Sequence, residues 1–216
     1  MTRIALIHAV AVAMAPVSDA FAALWPDADA ISIFDESLSP DRARDTDLTD
    51  TMTKRIGDLG RYALTTGADG ILYTCSAFGP AIAGFAATTP KPVLRPNEAM
   101  FDEALGCGTR LGMLATFGPS VASMEAEFQE AAAERGVAAT VETVLIEEAM
   151  RALKGGDAET HNRLLAEAAP RLAHCDAVML AHFSTSRAYE AVSATIDAPV
   201  LTAPRAAVAA LRQRVG

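Results

Sequence analysis

The chain has 216 residues, 51% of them hydrophobic, with 18 basic against 27 acidic side chains and a net charge of −9. That length suits one large domain or two small ones with a well-filled core, and it excludes a disordered chain. No basic stripe accompanies the negative charge, so neither nucleic acid nor an anionic membrane is an expected partner.

Arg3 to Ile7 is a short apolar run leading into His8-Ala9-Val10, and a helix is expected from Pro16 or Ser18 through Leu24. Ile4 to Ala15 is too short to span a bilayer and is broken by His8. Arg3 is its only basic flank, so it scans as a first buried strand rather than a signal peptide, and the chain reads as cytoplasmic. Ala30 to Phe34 alternates as a second strand. Asp35 to Thr51 is polar, acidic and proline-bearing and reads as a loop able to cover a site. Thr53 to Thr66 carries Ile56, Leu59, Tyr62 and Ala63 at helical spacing and stops at Gly67.

Gly70-Ile71-Leu72-Tyr73 is the next strand, running out into Thr74-Cys75-Ser76-Ala77-Phe78-Gly79 before a helix from Pro80 to Ala87. A thiol at the carboxyl tip of an apolar strand occupies the position where open α/β sheets bind ligands. Pro92-Val93-Leu94 is a fourth strand, followed by Arg95-Pro96-Asn97-Glu98 and another helix. The three cysteines, Cys75, Cys107 and Cys175, are odd in number and lack CxxC spacing, which argues against a disulfide framework and against a zinc site.

From Thr109 the pattern restarts. Thr2-Arg3-Ile4-Ala5-Leu6 matches Thr109-Arg110-Leu111-Gly112-Met113 at an offset of 107 residues. At the same offset Asp69 meets Asp176, Ile71 meets Val178, and Pro92-Val93-Leu94 meets Pro199-Val200-Leu201. The fold class is therefore α/β: two similar halves, residues 1–107 and 108–216, each a mainly parallel sheet flanked by helices, with the active site expected in a cleft between their carboxyl ends. Terminal segments could exchange between the halves. The offset also aligns Cys75 with His182, and a pseudo-twofold axis would bring the two side chains face to face.

Three stretches, TCSAFGP at Thr74 to Pro80, GMLATFGPS at Gly112 to Ser120 and DAVMLAHFSTS at Asp176 to Ser186, give the chain a wider likeness. In their order and spacing it resembles the aspartate/glutamate racemase superfamily, which includes glutamate and aspartate racemases, hydantoin racemase, maleate isomerase and arylmalonate decarboxylase. The resemblance implies chemistry at the carbon alpha to a carboxylate, no metal, flavin or pyridoxal cofactor, and a dimer or higher assembly. Racemases of the group use one cysteine per half as paired acid and base; here Cys75 stands in the first position and His182 in the second. Cys175 lies at the wrong end of its strand to replace the missing thiol, and Cys107 falls at the boundary between halves.

A thiol of ordinary pKa ~8.5 beside an imidazolium is a candidate thiolate–imidazolium pair, with Cys75 as base or nucleophile and His182 as opposite-face acid. Ser76, Ala77 and Phe78, Thr116 to Ser120, and Phe183 with Ser184 to Ser186 are placed to bind the substrate carboxylate through hydroxyls and backbone N–H groups; His8 and Asn97 end other strands and join the candidates. His161 and His174 read as surface groups. The expected function is a cofactor-independent racemase or isomerase of a small carboxylate. The alternatives are a one-cysteine decarboxylase or lyase of the same superfamily and a non-catalytic carboxylate-binding protein.

Overall fold

A computed structural model describes residues 1–45 and 47–216. The chain divides into two compact units, Met1–Ala99 with Ala207–Gly216, and Met100–Ala206.

In the first unit the strands are β1 (Arg3–His8), β2 (Asp29–Phe34), β3 (Gly70–Tyr73) and β4 (Val93–Leu94), all parallel in the order β2-β1-β3-β4. The central strands are buried on both faces, which is why RIALI and GILY read as continuous apolar runs. The edge strand β2 alternates half-buried and exposed residues. Between them run α1 (Met14–Leu24), α2 (Leu38–Arg42), α3 (Asp50–Thr65) and α4 (Gly79–Ala86), and α5 (Glu98–Cys107) leads into the second unit. Thr49 caps α3 by accepting the Met52 N–H, and Gly67 closes it at φ 81°. The last residues return to this unit: Leu211 and Val215 lie over Gly70 at the start of β3, and Ala207, Val208 and Leu211 are fully buried.

The second unit repeats the plan with β5 (Arg110–Ala115), β6 (Thr140–Leu145), β7 (Ala177–Leu180) and β8 (Val200–Thr202), parallel in the order β6-β5-β7-β8. Its helices are α6 (Val121–Glu134), α7 (Glu147–Lys154), α8 (Ala158–Ala168), α9 (Tyr189–Ser193) and α10 (Ala203–Val215), the last crossing back into the first unit. The aspartates matched by the repeat do the same work in both sheets. Asp69 accepts the Arg3 N–H at 3.1 Å, and Asp176 accepts the Thr109 and Arg110 N–H groups at 2.9 Å each, tying β3 to β1 and β7 to β5 at their amino ends.

Several local expectations change. The acidic segment 35–51 is not all loop: α2 forms within it, anchored by buried Leu38, and Arg55 of α3 holds it with ion pairs to Asp35 (2.8 Å) and Asp41 (2.7 Å). Thr46 of that segment lies outside the described residues. The first helix begins earlier, at Met14, behind a 3-10 turn at Ala11–Ala13. Helix α8 ends at Ala168 and the chain continues as a 3-10 turn through Leu172, because Pro170 cannot supply an amide donor. His161 is fully buried, not a surface group, since it lies on the inward face of α8; His174 is exposed.

Candidate active site

In the first unit the site residues stand at the carboxyl edge of the sheet. Cys75 follows β3 in extended conformation (φ −125°, ψ 118°) and opens a 3-10 turn, Ser76–Phe78, that runs into α4. Its thiol is partly buried; burial pushes its pKa up, and a backbone hydrogen bond from Ala77 offsets part of that rise. The Phe78 ring is packed into the core, so only its backbone is left for a ligand. Arg42 of α2 donates to the Ala77 carbonyl at 3.4 Å, which lays the acidic segment beside the Cys75 turn.

His8, at the end of β1, is fully buried, and both ring nitrogens are engaged: Nδ1 with Thr74 Oγ1 at 2.9 Å and Nε2 with Ser32 Oγ at 3.2 Å. Burial lowers its pKa to about 4, so the ring is neutral at pH 7. Thr74 Oγ1 also donates to the Ile7 carbonyl at 3.4 Å, which leaves the hydroxyl as acceptor of the His8 Nδ1–H. His8 thus fixes the residue immediately before Cys75. Asn97 is buried after β4. Ser32 was not singled out by sequence; a hydroxyl two residues before the end of an edge strand carries no distinguishing local signal.

In the second unit His182 lies two residues beyond β7 at φ 71°, ψ 154°, the sole non-glycine residue at positive φ among those described. A bulky side chain in that region costs of order 1–3 kcal/mol and persists only where the surroundings impose it. Its Nε2 lies 2.8 Å from Ser120 Oγ, and the Ser120 hydroxyl donates to the Phe117 carbonyl at 2.9 Å. The single hydroxyl proton being so used, Nε2–H is the donor to Ser120, and the free lone pair falls on Nδ1. That Nδ1 is buried with no hydrogen-bond partner among the described residues. Burial drives the His182 pKa down, partly offset by the Ala181 backbone.

The same sheet edge holds further buried hydroxyls without partners among the described residues, Thr116 Oγ1 after β5, Thr185 Oγ1 in the turn after His182 and Thr202 Oγ1 ending β8. Thr202 is the register partner of Leu180, two residues before His182. Its position as a polar residue closing an apolar strand was the signal that would have found it. Phe183 is buried, and the Ser184 carbonyl accepts from Arg187 Nε at 3.2 Å. The expected thiolate–imidazolium pair is not the form that burial favours: a raised thiol and a lowered imidazole are both uncharged at neutral pH.

The family model for Asp/Glu/Hydantoin racemase matches residues 9–174. The chain belongs to the Asp/Glu/Hydantoin racemase family. The matched stretch takes in Cys75 and Thr116 to Ser120 and stops before His182. Solved structures share the racemase fold at low identity. Allantoin racemase from Klebsiella pneumoniae superposes with a TM-score of 0.75 at 16% identity, over 99% of this chain and 87% of that one. Picrophilus torridus aspartate racemase gives 0.72 at 15%, over 100% and 95%. An arylmalonate decarboxylase variant in its sulfate-associated form gives 0.67 at 18%, over 99% and 93%. No curated protein sequence matches the chain. Among the described residues of this racemase-family chain, no helix is long and apolar enough to cross a membrane.

Proposed function

We propose that the chain is a cofactor-independent racemase or isomerase acting at the carbon alpha to the carboxylate of a small substrate. Cys75 serves as base or nucleophile and His182 as opposite-face acid in one direction, with the roles exchanged in the other. The observation that carries this reading is His182: a strained, non-glycine backbone and a buried, unpartnered Nδ1 at the position that the repeat pairs with Cys75.

The proton inventory fits a two-base reaction. A thiol with a neutral imidazole holds the same number of protons as a thiolate with an imidazolium, so the two forms differ only in which group acts first. Burial selects the thiol and the neutral imidazole, in which the Nδ1 lone pair of His182 removes the α-proton and the Cys75 S–H returns one. The reverse turnover starts from the other form. Thr116, Thr185 and Ser184 in the second unit and the backbone of Ser76, Ala77 and Phe78 in the first are the proposed carboxylate ligands, hydroxyls and amides being the donors such an anion needs. The Ser120 hydroxyl holds the His182 tautomer, and His8 acts through Thr74.

The absence of a second thiol at position 182 favours one other reading, a decarboxylase or lyase in which Cys75 alone protonates one face of an enediolate. Single-enantiomer amino acids, hydantoins and substituted malonates incubated with the protein in D₂O separate the two. Inversion with α-deuteration supports the racemase, and loss of CO₂ supports the lyase. If nothing in the panel turns over or exchanges while calorimetry shows that a small carboxylate binds, the chain is a carboxylate-binding protein, and turnover surviving Cys75→Ala refutes both enzyme readings.

A further inference from the structure

The amino-terminal edge of the second sheet, at the opposite end of β7 from His182, brings together three donor side chains of different type. Glu142 lies in β6, and His174 and Cys175 form the turn that enters β7. One oxygen of Glu142, a ring nitrogen of His174 and the Cys175 sulfur all lie within 4.8 Å of one another. His174 Nε2 and Glu142 Oε2 are 3.1 Å apart. We propose that Glu142, His174 and Cys175 form a binding site for a borderline-soft divalent cation, Zn²⁺ being the fitting ion, with a fourth position open to solvent.

The geometry suits that ion. Zinc bonds of about 2.0–2.3 Å at the tetrahedral angle place donor atoms about 3.3–3.6 Å apart. A 3.1 Å edge and others no longer than 4.8 Å are within reach of small rotations of the His174 and Glu142 side chains, both more than half exposed. Their exposure also gives the ion its entry path. The thiolate and imidazole exclude magnesium and calcium, which select oxygen donors.

The surroundings hold the turn in place before any ion arrives. The Cys175 N–H donates to Leu172 O at 2.9 Å, the Asp176 N–H to Arg110 O at 2.7 Å, and the Asp176 carboxylate takes the N–H groups of Thr109 and Arg110. Gly112, the β5 register partner of Glu142, supplies the space: a Cβ there would stand 3.3 Å from the Cys175 sulfur. The glycine thus lets the thiol reach across β5 toward β6. Sequence spacing concealed the set, because Glu142 is far along the chain from the His174-Cys175 pair and no CxxC is present.

On binding, the Cys175 S–H bond breaks, its proton goes to solvent and the thiolate forms the S–Zn bond. The Nε2–H bond that points at Glu142 breaks as the ring proton moves to Nδ1, which frees the His174 Nε2 lone pair for the metal, and the Glu142 carboxylate gives an oxygen. The group passes from one net negative charge to neutral. The ion would tie β6 to the β7 entry and carry no part of the reaction at the other end of the sheet.

The 216-residue chain, stripped of metal by a chelator and titrated with Co²⁺ and with Zn²⁺, tests the site. The expected result is one Zn²⁺ per chain by equilibrium dialysis, a thiolate-to-cobalt charge-transfer band in the near ultraviolet, and a thermal midpoint that rises with zinc concentration. Cys175→Ser should abolish the band, and the exposed-site variants His174→Gln and Glu142→Gln should each weaken zinc binding at least about tenfold. Cys75→Ser and Cys107→Ser should leave the band intact. A wild-type protein without the band, or a band that persists in Cys175→Ser or vanishes in Cys75→Ser, overturns the assignment.

Discussion

The His8 ring offers the sharpest test of how the first sheet edge is held. Folding takes its pKa from the usual 6.5 to about 4 by burial, so the unfolded chain takes up the proton first as pH falls. Between pH 6.5 and 4 the unfolded state holds more protons at this residue, and stability declines with acidity through that window. A difference of about 2.5 pH units at 1.36 kcal/mol each amounts to about 3 kcal/mol, fully expressed below pH 4 and absent above pH 7. The side chain has no exposed surface. Carboxylates, buried His161 and half-buried His182 also titrate, so the measurement is a difference: urea unfolding of wild type and His8→Asn at intervals from pH 7.5 to 4. Asparagine retains a donor for Thr74 but no titrating group. Wild type should lose about 3 kcal/mol more than the variant between pH 7 and 4. Parallel curves would show that His8 is not a neutral, buried ring and would remove the account of how Thr74 is fixed.

Replacing His182 separates backbone from side chain. Both His182→Gly and His182→Ala should abolish two-sided exchange, yet the glycine variant should be the more stable by about 1–2 kcal/mol in urea, because only glycine accepts φ 71° without strain. Gly60→Ala should destabilise by about 1–3 kcal/mol, since the added Cβ would stand 2.6 Å from Tyr73 Oη and against the Phe85 ring; the unfolding midpoint reports it. Alkylation of Cys75 by iodoacetamide, followed by peptide mass spectrometry, should rise with pH to a midpoint above the ordinary thiol range; a midpoint at or below neutrality would indicate a standing thiolate.

The α/β class and most strands were legible because parallel central strands are buried on both faces, which turns RIALI, GILY, LGMLA and AVML into unbroken apolar runs. The duplication was legible for a different reason: Asp69 and Asp176 satisfy backbone amides of the neighbouring strand, a duty that constrains residue type at a fixed register. Helix α2 escaped notice because its five residues are held by Leu38 and by the distant Arg55 rather than by local periodicity. The Cys75 and His182 tips were visible as polar ends of apolar strands. Their protonation was not, because desolvation depends on what the tertiary fold stacks over them. The burial of His161 is not legible in the sequence, since a histidine on an amphipathic helix shows its burial only once the facing element is known.

The return of residues 207–216 to the first unit bears on the order in which the molecule can be made. The second unit is drawn from one continuous stretch, Met100–Ala206, whereas the first needs both Met1–Ala99 and the last ten residues. A ribosome therefore delivers all of the second unit before it delivers the buried Val208 and Leu211 of the first. The half that carries Cys75 is begun first and finished last, so during synthesis the floor of β3 stays uncovered while the half that carries His182 already has every residue of its own core.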